Sequence, residues 1–146
     1  MILYYAVGGG LGHLTRGRRV LRALGLEKHA TFVTASPYAN DARVTGGIPT
    51  IRIPPHLEYA KDLHRAWLRD LIRERRAERL IADAFPAGIQ GELSGLEIPM
   101  DHVARILRWH AYRRIVRDEL PHFETTWRVE ALSPDHAQFL GSTVPL

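Results

Sequence analysis

Four glycines fall within five positions, Gly8, Gly9, Gly10 and Gly12, and His13 follows at once. The run before them, residues 2–7 (ILYYAV), is apolar and β-prone. The run after them, residues 13–24, carries a helical stripe of Leu14, Gly17, Leu21 and Leu24 with Val20 beside it, while Arg18, Arg19 and Arg22 point elsewhere. A buried parallel strand that dissolves into glycine and resumes as a helix constrains the fold more than any other feature of the chain. Bare backbone at such a turn lets main-chain amides approach a ligand, and the first amides of a helix favour an anion. A tight turn alone needs fewer glycines, so the loop reads as a binding loop. Gly17 on the inner stripe lets the helix lie close to the sheet, and Gly25 reads as its stop.

The alternation continues. Ala30–Thr34 reads as a second strand, residues 36–47 as a loop with room for one short helix, and residues 50–53 as a third strand ended by Pro54 and Pro55. Residues 60–79 carry a helical pattern with Ala60, Leu63, Trp67 and Leu71 on one face. Residues 80–82 form a fourth strand with Asp83 at its end, and Pro86 and Gly88 open a short helix bearing Ile89 and Leu93. A strand at 103–107, a helix at 111–119 and a strand at 127–132 follow; residues 133–146 show little pattern. The expected fold is α/β, a Rossmann-like parallel sheet with helices on both faces, in one domain at 1–132 with a tail or hinge remnant at 133–146.

Composition narrows the function classes. The 146 residues suit one ordinary domain, and 45% hydrophobic content suffices for its core. No run of about 18 apolar residues exists, so no transmembrane helix is expected. The chain has no cysteine, which excludes disulfides, thiolate metal sites and a cysteine nucleophile. Met1 leads directly into a strand-like run with no signal-peptide pattern, and the joint expectation is a cytoplasmic protein. A net charge of +4 and a pI near 9.8 favour anionic partners without choosing among phosphates, nucleotides, nucleic acid and acidic lipid. Nucleic acid is not expected, for want of a motif or aromatic interleaving. Arg65, Arg69, Arg73, Arg75, Arg76 and Arg79 read as a solvated helix face. The histidines show no metal-ligand spacing, and no metal is expected.

Two familiar glycine motifs fit badly. For G-x-G-x-x-G, Gly8 and Gly10 take the first two places but His13 takes the third, and the second strand ends VTASP with no acid for a ribose. The phosphate-cradling G-x-x-x-x-G-K-[ST] loop, read from Gly8, lacks its second glycine and its lysine. A third fit is better. GGGLGHLTR resembles the first loop of GT-B-fold glycosyltransferases, in the branch that includes the peptidoglycan N-acetylglucosaminyltransferase and relatives with a G-x-G-H-x-x-R pattern, here Gly10, Gly12, His13 and Arg16. LIADAFPAGIQGEL (80–93) resembles that group's strand ending in Asp, its Phe-Pro-x-Gly turn and its Glu-Leu pair; VARILRWHAY (103–112) and WRVEAL (127–132) are weaker matches.

The resemblance implies the acceptor-side half of a GT-B enzyme, inactive alone, which with a donor-binding domain transfers a sugar from a nucleotide-sugar to a hydroxyl acceptor. It implies no bound cofactor, and as partners a donor-domain chain or a second copy. A lipid-linked acceptor would bring the chain to a membrane surface. The alternative is a Rossmann-like module that binds a phosphorylated ligand or a partner without turnover.

Each candidate residue carries two readings. Gly8, Gly9, Gly10 and Gly12 bring amides to phosphate, or only make the turn. His13, at the first helical turn, takes a proton from the acceptor hydroxyl as it attacks the anomeric carbon, or only positions phosphate. Arg16, one turn on, clamps phosphate or lies on a basic surface. Asp83 orients His13 or an acceptor hydroxyl, or caps the turn at 85–88. Glu92 reads as structural or as a rim contact.

Overall fold

The computed structural model describes residues 1–146. Seven parallel strands form one sheet in the order β3-β2-β1-β4-β5-β6-β7. They are β1 (Ile2–Ala6), β2 (Ala30–Thr34), β3 (Thr50–Arg52), β4 (Arg79–Asp83), β5 (Met100–Ala104), β6 (Thr125–Arg128) and β7 (Val144–Pro145). The helices are α1 (Leu11–Ala23), α2 (Ala42–Thr45), α3 (Lys61–Arg75), α4 (Trp109–Ile115) and α5 (Pro134–Leu140). This is the Rossmann-like α/β sheet expected from the alternation. Strand order reverses between β1 and β4, so the carboxyl ends of these two strands border the crevice where such sheets bind ligands.

Alternation along β1 sorts the core into two layers. Tyr4 and Ala6 face α1, packed with Leu14, Leu21, Phe32 and Ile81. Leu3, Tyr5 and Val7 face α3, packed with Leu68, Leu71, Leu80 and Leu93. Gly17 performs the expected service: a Cβ there would lie 2.7 Å from the Phe32 ring and 2.9 Å from the Tyr4 ring, so only glycine lets α1 settle this close.

Several boundaries differ from the pattern-based expectation. Helix α3 buries His64, Leu68 and Leu71, while Leu63 is exposed. The expected face is rotated because His64 turns inward to meet a buried tyrosine. The helix ends with Arg76 in the left-handed conformation, and Arg79 already belongs to β4. Strand β5 begins at Met100 rather than 103 and takes in Asp101 and His102, whose polarity hides it from a hydropathy reading. Their buried polar groups are partly met: Asp101 accepts from Arg79 and from the Thr125 amide, and His102 Nε2 donates to the Ala84 carbonyl. Helix α4 spans 109–115 and β6 spans 125–128, each displaced from expectation. Residues 86–93 form turns, not a helix. The 133–146 segment holds α5 and β7; His136 stacks on Trp109 at 4.5 Å, and β7 pairs with β6.

Candidate active site

Strand β4 ends in Asp83, on the face that carries Tyr4. Tyr4 is in register with Ile81, so Asp83 is its diagonal neighbour two positions further along the adjacent strand. Helix α1 starts from the end of β1 and brings His13 and Arg16 over the same point. The Asp83 carboxylate then receives Tyr4 Oη (2.8 Å) and Arg16 Nε (3.0 Å) on Oδ1, and Arg16 Nη2 (2.6 Å) and His13 Nδ1 (2.6 Å) on Oδ2. Two donors on each oxygen fill the acceptor capacity of a carboxylate. Burial opposes ionisation of Asp83, but the hydrogen bonds from His13 and Arg16 and the adjacent guanidinium charge outweigh it and hold the carboxyl below its usual range. Burial, reinforced by Asp83, pushes the Tyr4 hydroxyl well above the usual tyrosine range, so it stays a donor.

The arrangement fixes a tautomer. An ionised Asp83 requires a proton on His13 Nδ1, so in the neutral imidazole the lone pair is on Nε2. Arg16 Nη2 lies 3.2 Å from the same Nδ1; both atoms are donors to Asp83, so this is a packing contact. The imidazole lies over Gly8, where a Cβ would overlap the ring, and stacks on Phe85 with centroids 6.0 Å apart. Phe85 is set by Ala84, which holds φ 63°, a left-handed conformation costly for a residue with a side chain. The Ala84 amide donates to Val103 and its carbonyl accepts from His102, which hold that conformation in place.

The sequence offered Asp83 as a residue orienting His13, and the structure joins the two; it also sets Arg16, read as a phosphate clamp or a surface arginine, on the same carboxylate, with Gly8 under the ring. Asp83 orients the histidine and does not cap the 85–88 turn; Tyr112 serves that turn, accepting from the Ala87 amide and donating to the Gly88 carbonyl. One edge of Arg16 is committed to Asp83, leaving Nη1 for a ligand. Gly9, Gly10 and Gly12 differ from Gly8. A Cβ at any of them meets nothing within 4 Å, and none has a positive φ. The protein's own packing therefore does not require glycine there. Gly10 is the N-cap of α1 without a side-chain cap, and the first turn has no acid, so the leading amides of this 13-residue helix are open.

A second polar network lies across the sheet and was missed in the sequence. Tyr5 Oη donates to Glu92 Oε2 at 2.6 Å and so accepts from His64 Nε2 at 3.0 Å. Glu92, fully buried, also accepts the amides of Ile89 (3.2 Å) and Gln90 (2.9 Å), which shapes residues 86–93 as a loop around a carboxylate. Gln90 Nε2 reaches His64 Nδ1 at 3.3 Å. Burial lowers the His64 pKa, with Glu92 opposing. The signal was present: two adjacent tyrosines in a buried strand put one hydroxyl on each face, and each needs a buried partner.

No cluster of three or more His, Asp or Glu side chains is disposed to hold a metal ion, and no helix is long and apolar enough to cross a membrane. The sequence matches no protein-family model, and comparison with curated proteins and with solved structures yields no significant match.

Proposed function

We propose that this domain is the acceptor side of a glycosyltransferase of GT-B type, with His13 as general base. The observation that carries the reading is the saturated Asp83 carboxylate: it holds the proton on His13 Nδ1 and leaves Nε2 as the free basic atom beside an uncapped helix. In the reaction, the acceptor hydroxyl gives its proton to Nε2 while its oxygen bonds to the anomeric carbon of a nucleotide-sugar. The bond from that carbon to the diphosphate oxygen breaks, and its electron pair leaves with the diphosphate. Asp83 stabilises the imidazolium, and the open amides of 10–12 face the departing charge. The donor's base and ribose are held by a separate donor-binding unit, and the chain alone turns over no nucleotide-sugar.

An apolar rim supports a partner at this edge. Leu11, Tyr38, Tyr59, Ile89 and Ile106 are all exposed, and they follow β1, β2, β3, β4 and β5 in turn. Segments that follow parallel strands share the carboxyl edge, so these residues lie along the edge that holds the site. A donor-domain chain or a second copy seated there would cover them. The cysteine-free composition suits work in the cytoplasm.

A non-catalytic reading draws on the open glycines alone: a phosphorylated ligand on the α1 amides, with His13 Nε2 as one more hydrogen-bonding group. One experiment separates the two. Amide resonances of Gly9, Gly10, Leu11 and Gly12 are followed as inorganic pyrophosphate is added, and both readings expect shifts there. In the complete two-part enzyme, His13→Ala lowers kcat about 10²–10⁴-fold with little change in KM if the histidine is a base. A change confined to binding, about 0.5–1.5 kcal/mol, selects the module instead. No pyrophosphate response at the loop ends both.

A further inference from the structure

A cleft of about 480 Å³ opens at the carboxyl edge of the sheet, on the α3 side of the glycine loop. Its walls are Ile53, Pro54, Pro55, Tyr59, Ile89 and Ile115, with Arg52 and Glu58 among its lining and His64, Gln90 and Glu92 at its inner end. The volume lies in the range of small-molecule sites. Gly9 belongs to the lining, and its neighbour Gly8 lies under the His13 ring. Consecutive Cα atoms are about 3.8 Å apart, so the cleft wall and the imidazole are one residue removed.

The polar groups at the inner end are mostly engaged with one another. His64 uses both ring nitrogens, on Tyr5 and Gln90. Glu92 takes three donors, and Gln90 Nε2 is shared between Leu57 and His64. Gln90 Oε1 and one lone pair of Glu92 remain, both acceptors. At this inner end a sugar or other polyol would leave most of its hydroxyls without partners, at about 1–3 kcal/mol each, because Arg52 and Glu58, which could serve them, are exposed. An apolar body with one or two donors would not. The charged side chains of the lining, Arg52, Glu58 and Glu92, sum to a negative balance, which disfavours an anion.

We propose that the cleft receives a neutral, ring-bearing alcohol or phenol, its flat body held between Pro54–Pro55 and the isoleucines 89 and 115, its hydroxyl turned toward the glycine loop. The inference rests on the glycosyltransferase reading for the fate of that hydroxyl. Binding itself does not depend on it.

The test is direct binding to the whole chain. 4-Methylumbelliferone, at a pH where it is neutral, is titrated by fluorescence against wild type, Ile89→Glu, Ile115→Glu and Ile106→Glu, with methyl glucoside as competitor. All three isoleucines are exposed, so the variants fold, and thermal melting checks this. The expected result is saturable binding that weakens about tenfold or more in Ile89→Glu and Ile115→Glu. Ile106→Glu, outside the cleft, should leave it unchanged, and a large excess of methyl glucoside should not displace the phenol. No saturable binding, binding indifferent to Ile89 and Ile115, or displacement by methyl glucoside overturns the proposal. Failure of the catalytic reading is registered separately, by the His13→Ala rate and the pyrophosphate response.

Discussion

The hydroxyl of Tyr4 donates to Asp83 Oδ1 at 2.8 Å from the neighbouring strand, with both groups fully inside the protein. Tyr4→Phe removes this hydrogen bond and little volume. It should cost about 1.5–3 kcal/mol, the range for a bond to a charged group. Urea unfolding measures it, and an unchanged midpoint would mean that the carboxylate is satisfied without Tyr4.

Asp83→Asn strips the charge that faces Arg16 and puts an amide where His13 Nδ1 needs an acceptor. The loss expected from breaking such a buried pair is about 3 kcal/mol. The pH dependence has a definite sign. Because the native carboxyl is held below its unfolded value, its contribution is complete above about pH 4 and disappears as pH falls through the lower native value. The amide of the variant has no such titration, so the wild-type advantage should shrink in acid. A stability difference that is flat from neutral pH down to about pH 2 would contradict the assigned ionisation.

Buried histidines give a second pH window. Burial holds His102 down at about 4, with its bond to the Ala84 carbonyl and the Asp83 charge opposing and His136 reinforcing, and burial also lowers His64 and His136. Between pH 6.5 and 4 the unfolded chain takes protons that the native His102 refuses, so stability falls as pH falls. For His102 alone the drop is about 3 kcal/mol. Thermal melts across that range should show it, and His102→Gln should flatten the curve. An equal slope in the variant would remove His102 as the cause.

Gly8 and Gly10 should respond in opposite ways. Gly8→Ala pushes a methyl group into the His13 ring, so it should displace the imidazole and disturb its nuclear magnetic resonance signals with or without ligand. A Cβ at Gly10 meets no protein atom within 4 Å, so Gly10→Val should leave stability within about 0.5 kcal/mol, yet abolish the pyrophosphate response by filling the approach to the amides. If Gly8→Ala leaves the histidine signals in place, the imidazole does not lie against Gly8.

Much of this was legible in the sequence. The buried strands β1, β2 and β4 are nearly continuous apolar runs, and the glycines and Asp83 mark where β1 and β4 end. The pairing of His13 with Asp83 followed from placing two loops at one edge, whereas Arg16, read as facing phosphate or solvent, gave no sign that it would turn to the same carboxylate. What escaped were residues whose polarity is neutralised only in three dimensions. Asp101 and His102 disguise β5 because their partners, Arg79 and Ala84, are distant in the chain. Residues 86–93 read as helix because Glu92's task, holding two local amides and a tyrosine hydroxyl, depends on a strand far upstream. The rotation of α3 has the same origin in His64 and Tyr5.

The full complement of donors around Asp83 has an evolutionary corollary. Tyr4, His13 and Arg16 come from two elements; Tyr4 and His13 each occupy one lone pair and Arg16 two, and no other side chain serves them. Drift at one of them exposes the carboxylate's demand on the others, so the effects of substitutions here should be epistatic rather than additive. In descendants of this chain these positions should therefore change as a block, with Asp83, or remain as they are.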